Sequence, residues 1–121
     1  MKVTMSTHCH HEPSSKALSW DDEQLKRAAL MCHALSDPER LKLLLLLHQE
    51  GTLCVSELVE RSGGKTSSVS VRLQTLVQAG LLSRQREAKH VYYRLSDQHI
   101  HDLLHNILDH ATEMKQSTTL E

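Results

Sequence analysis

The stretch DQHIHDLLHNILDH, residues 97–110, holds four histidines among apolar residues, and Glu113 follows three positions after the last of them. Imidazole and carboxylate together suit borderline-soft divalent ions, zinc above all, with cobalt, nickel or cadmium as alternatives. Advancing about 100° per residue along a helix separates these donors. Ile100, Leu103, Leu104, Ile107, Leu108, Ala111 and Met114 fill one arc. His99, His110 and Glu113 fall on one edge of it, while His101 and His105 fall on the other and read as rim residues. His110 and Glu113, at i and i+3, share a face.

His99 and His110 lie roughly 16 Å apart along such a helix, too far for one ion within a chain. If the apolar arc pairs with its own copy running antiparallel about a two-fold axis, His99 of one chain meets His110 of the other. Asp97 and His99 from one chain with His110 and Glu113 from the partner then make a four-donor set suited to tetrahedral zinc, twice per dimer. Asp97, at the helix start, also has the chemistry of a cap.

A second cluster is electrostatic. Arg61, Lys65, Arg72, Arg84, Arg86, Lys89 and Arg94 face a single acid, Glu87, between positions 61 and 94; this local +6 leaves −7 for the rest of a chain whose net charge is −1. Such a segment is built to meet a polyanion.

The elements that must position these residues are legible from caps and periodicity. Residues 1–18, with STHCHHEPSSK, read as a flexible tail. Ser19 offers a cap for a first helix carrying Leu25, Ala28, Ala29, Cys32 and Leu35, with Cys32 read as a core residue. Asp37, Pro38 and Gly51 bound a second helix over 38–50. A link through Leu53 and Cys54 leads to a short helix ended by Gly63 and Gly64, then to one carrying Val69, Leu73, Leu76 and Val77 inward and ended at Gly80. Two short helices around a tight turn make a helix-turn-helix. LLSRQREAKHVYYRL, split by Glu87, Ala88 and Lys89, reads as a two-stranded hairpin, a wing. A last helix covers about 97–115.

The fold class is therefore mainly α: a winged helix-turn-helix over residues 19–116 with a two-stranded β wing and a C-terminal dimerisation helix, followed by a short tail at 117–121. Lys65, Thr66, Ser67, Ser68, Ser70 and Arg72 open the fourth helix and are suited to phosphates and base edges; Arg84, Arg86, Lys89 and His90 on the wing would ride over the DNA backbone. The implied partners are an operator in double-stranded DNA and a second copy of the chain. No apolar run reaches the roughly 20 residues of a membrane span, and three widely spaced cysteines do not form a disulfide framework. Both features indicate a cytoplasmic protein with reduced thiols and no membrane partner. A zinc hydrolase needs an open coordination position and a pocket; four protein ligands argue against an enzyme and against a small organic substrate.

The segments ALSDPERLKLL, LCVSELV, SSVSVRLQTLVQAGLL, KHVYYRL and DQHIHDLLHNILDHATE resemble those of the ArsR/SmtB family of winged-helix metal-sensing repressors. The resemblance spans about residues 20–116. It implies an intersubunit zinc site at Asp97, His99, His110 and Glu113, and an apo dimer that binds an inverted-repeat operator and is released from it by zinc, derepressing genes for metal efflux or sequestration. It also implies a second site joining Cys54 and Glu57 to tail donors, here His8, Cys9, His10 and His11. The alternative is a repressor of the same fold that senses thiol oxidation, or another metal, through Cys9, Cys54 and the tail. Two departures stand out: Val71 where many relatives carry His or Gln, and Ala88-Lys89 where Gly-Arg is usual.

Overall fold

Asp37 and Pro38 open the helix around which the remaining elements pack. The computed structural model describes residues 19–120, with side chains to residue 115. The order is α1 (Asp22–Leu35), α2 (Pro38–Glu50), β1 (Thr52–Cys54), α3 (Val55–Ser62), α4 (Thr66–Gln78), β2 (Leu82–Glu87), β3 (His90–Leu95) and α5 (Gln98–Leu120). Asp37 Oδ2 accepts from the Arg40 amide at 2.9 Å, Pro38 occupies a first-turn position, and Gly51 ends α2 at φ 97°, a conformation that disfavours side chains with a Cβ. Leu43, Leu44 and Leu47 from α2 meet Leu58 of α3, Val69, Leu73 and Leu76 of α4, and Leu104 of α5 in the buried core. Truncating one of these leucines to alanine costs roughly 2–5 kcal/mol, the range for cavities in well-packed interiors.

The helix-turn-helix is held by its glycines. Gly63 caps α3 at φ 77°. At Gly64 an added Cβ would lie 2.9 Å from Val69 Cγ2, so the turn closes only without a side chain there. The wing hairpin forms as its pattern predicts, with β2 and β3 paired from Leu82↔Leu95 to Glu87↔His90. Glu87 and His90 extend the ladder, leaving Ala88 and Lys89 as the two-residue tip, with Ala88 in the left-handed region at φ 55°.

Several expectations give way. Thr52–Cys54, read as a link, is a third strand: it pairs antiparallel with β3 through Leu53↔Tyr93, giving the order β1-β3-β2. Asp21, not Ser19, caps α1. Its carboxylate accepts from Gln24 N at 2.8 Å while Gln24 Oε1 accepts from Asp21 N at 2.9 Å, a reciprocal box that satisfies two open amides at once. Cys32 is exposed rather than in the core: α1 buries only Ala34, through its last turns, and leaves Leu25 and Leu30 about half exposed. α5 runs to Leu120, past the expected end near residue 115 and through most of the segment read as a C-terminal tail.

Candidate DNA-binding face and metal centre

α4 owes its two-sidedness to its sequence. Val69, Leu73 and Leu76 are buried, and the opposite face presents Ser67, Ser70, Val71, Gln74 and Gln78 to solvent. Lys65 stands at the N-cap with no side-chain hydrogen bond closing the helix start, so the first-turn amides and the positive end of the helix dipole stay open to an anion. Between α4 and β2 lies a cleft of about 510 Å³ bordered by Ser70, Gln74, Gln78 and Arg84.

The charges around this face are free. Lys65, Arg84, Arg86, Lys89 and His90 are exposed and Arg72 is half-buried. Among the described residues none of Lys65, Arg72, Arg84, Arg86 and Lys89 has a carboxylate partner; of the basic segment only Arg61 is paired, with Glu50 at 3.2 Å. Elsewhere Arg27 and Lys42 do find acids, Glu23 at 3.1 Å and Glu39 at 3.5 Å. Cations left unpaired on one side of a helix and its wing form a positive surface that a phosphate backbone can neutralise. Val71, noted in the sequence as a departure from its relatives, shares this face with Gln74, which the serines and basic residues singled out there do not include. The signal was present, since positions 67, 70, 71 and 74 follow helical spacing.

On α5 the local spacing yields two donor pairs. Asp97 Oδ1 lies 3.5 Å from His99 Nδ1 and also accepts from the Ile100 amide at 3.3 Å, so it is at once a cap and a carboxylate beside an imidazole. His110 Nδ1 lies 3.7 Å from Glu113 Oε1. All four side chains are more than half exposed. One chain does not bring the two pairs together: no group of three or more metal donors converges among the described residues. The first half of α5 is anchored by Ile100 and Leu104, while Leu108 and Met114 on the second half stay 41% and 59% exposed. The chain's own described elements therefore cover the apolar stripe along the first half of α5 and leave it exposed at Leu108 and Met114. In chemistry the donors fit a zinc-class ion, with two imidazoles and two carboxylates already paired in orientation.

Cys54 and Glu57 are together as well. Glu57 Oε1 accepts from the Cys54 amide at 2.9 Å. That backbone bond, then the Cys54 side chain, hold the Glu57 carboxyl below its ordinary value, with Arg61 and His90 adding smaller electrostatic pulls against some desolvation. Cys54 Sγ sits 3.2 Å from Ser56 Oγ at the edge of a hollow that Lys89 and His90 of the wing also line. The tail donors His8, Cys9, His10 and His11 lie outside the described residues.

The transcriptional repressor SmtB homolog of Synechocystis is 34% identical over 91 residues, covering 75% of this chain and 68% of that one. A cadmium resistance regulatory protein CadC homolog of Staphylococcus aureus is 35% identical over 81 residues, 67% of each chain. The chain belongs to the ArsR/SmtB family. The MarR family model also matches, over residues 37–89, the segment from α2 to the wing tip. A homodimeric winged helix-turn-helix DNA-binding domain from Mycobacterium bovis, a possible ArsR-family regulator, superposes with a TM-score of 0.72 at 28% identity, covering 80% of this chain and 92% of that one. ArsR/SmtB proteins are transcriptional regulators, not enzymes, and the winged helix described above is their DNA-binding fold. None of the helices among the described residues is long and apolar enough to cross a membrane.

Proposed function

We infer that the protein is a zinc-responsive repressor. In this reading its apo homodimer binds an inverted repeat in double-stranded DNA, and zinc shared between the two α5 helices lowers its DNA affinity and releases genes for metal efflux or sequestration in the cytoplasm. The observation that carries it is the placement of two exposed His–carboxylate pairs, 3.5 and 3.7 Å wide, on a helix whose apolar stripe stays exposed at Leu108 and Met114. An antiparallel copy of that helix covers the stripe and sets Asp97 and His99 against His110 and Glu113 of the other chain. The unpaired cations of α4 and the wing supply the DNA contact, with Lys65, Thr66, Ser67, Ser68, Ser70 and Arg72 in the major groove and Arg84, Arg86, Lys89 and His90 along the backbone.

Regulation requires that zinc bind the DNA-incompetent dimer more tightly than the competent one. A coupling of roughly 1–3 kcal/mol is the usual size, and DNA must weaken zinc by the same factor. Cys54 and Glu57, with tail donors from the other chain, form a second site in this reading; the ordered Glu57 carboxylate beside the Cys54 thiol supports it. Operator affinity measured with and without zinc tests the proposal. Zinc is expected to weaken wild-type binding roughly 5- to 150-fold and to leave His110→Ala unchanged; an equal response in both proteins rejects it.

A further inference from the structure

Most histidines of α5 point at carboxylates: His99 at Asp97, His105 at Asp109 and His110 at Glu113. His101 does not. Its Nδ1 lies 2.9 Å from Nδ1 of His48, at the C-terminal end of α2, with the ring centroids 5.1 Å apart and the planes tilted by 44°. Both residues are half-buried, and no carboxylate or carbonyl contact to either ring is recorded among the described residues. Two imidazole nitrogens thus converge on one point from residues 53 apart in sequence, on different helices.

We propose that His48 and His101, joined by His105, form a second kind of metal site, contained within one subunit, for a divalent first-row transition ion such as nickel(II). The geometry favours this class. With metal–nitrogen bonds of about 2.1 Å, two nitrogens 2.9 Å apart subtend about 90° at the ion. That is a cis angle of octahedral or square-planar coordination; a tetrahedral ion would need the pair to open to about 3.4 Å. The Nδ1···Nδ1 contact shares one proton, donated by one ring and accepted by the other. On metal binding the donor ring moves that proton through solvent to its own Nε2, so both Nδ1 lone pairs face the ion with no net change in charge.

His105 stands one turn beyond His101, the i, i+4 spacing at which two helix histidines share one ion. Its present partner, Asp109 at 3.2 Å, is an exposed contact and costs little to leave. Water completes the coordination. Occupied, the site fastens the first half of α5 to α2, on the edge of α5 opposite the intersubunit donors and independently of dimerisation.

The test uses full-length protein in which Asp97, His99, His110 and Glu113 and the tail donors His8, Cys9, His10 and His11 are replaced by alanine, so that failure of the repressor reading does not affect it. Nickel(II) is titrated by calorimetry. One ion per protomer is expected; His48→Gln and His101→Gln should each abolish it, and His105→Ala should weaken it at least about ten-fold, since even loss of a supporting group costs 10- to 100-fold. Circular dichroism reports folding, and either glutamine variant suffices if the other does not fold. No nickel bound to the background protein, or binding unchanged by both glutamine substitutions, overturns the proposal.

Discussion

The unpaired cations make the salt dependence of DNA binding calculable. Lys65, Arg72, Arg84, Arg86 and Lys89 have no acidic partner among the described residues, so binding DNA breaks no ion pair at these positions, and each contact releases a counterion from the duplex. A dimer presenting all five from each subunit neutralises up to about ten phosphates, and the slope of log K against log salt is then about −9, at −0.9 per contact. Replacing Arg84 and Arg86 with alanine removes about four contacts per dimer and should flatten the slope to roughly −5. Both side chains are solvent-exposed on β2, so fold stability should change little. Fluorescence anisotropy of a labelled duplex, titrated between about 50 and 200 mM salt, the interval over which such contacts dominate, gives the slope directly. A slope that stays the same in the double variant, with binding intact, refutes the assignment of the wing to the backbone.

Other expectations follow from single residues. Val71 stands 63% exposed at the centre of the α4 face, where an apolar group reads the methyl of thymine; in an operator selected from random duplexes, replacing the contacted thymine by uracil should weaken binding about four-fold per half-site, one methyl's worth of burial, and Val71→Ala should abolish that sensitivity. Ala88 holds a left-handed conformation at φ 55°, so Ala88→Gly should stabilise the fold by about 0.5–1 kcal/mol, read by chemical denaturation, because glycine removes a strain of roughly 1–2 kcal/mol and returns part of it as unfolded-state entropy. A destabilised variant would contradict this. Glu57 has its folded-state pKa lowered, first by the Cys54 amide, so its contribution is complete above the ordinary carboxylate range and disappears as pH falls through the lowered value. The stability gap between wild type and Glu57→Ala should therefore narrow on acidification; a gap that widens would reverse the sign.

The donor pairs of the candidate site were legible because each is local. Asp97 with His99, and His110 with Glu113, are two and three residues apart, so helix geometry alone sets each pair side by side. The cap and stop residues of α2, Asp37, Pro38 and Gly51, act within their own turns. Cys32 was misplaced for the opposite reason. Its position on the apolar stripe of α1 is correct, yet whether that stripe meets the core depends on how α1 leans on α2, and only its last turns do.

From the chain alone come the helices, the hairpin, the basic segment and the pairing of donors within a turn, since each depends on torsional preference and spacing over a few residues. The tertiary structure decided the rest. It turned Thr52–Cys54 into a strand by supplying β3 as its partner, left Lys65, Arg72, Arg84, Arg86 and Lys89 without acids among the described residues, and set His48 against His101 across 53 residues. These are contacts between segments distant in sequence. Their existence depends on how the shared core of leucines orients whole elements, which no local pattern encodes.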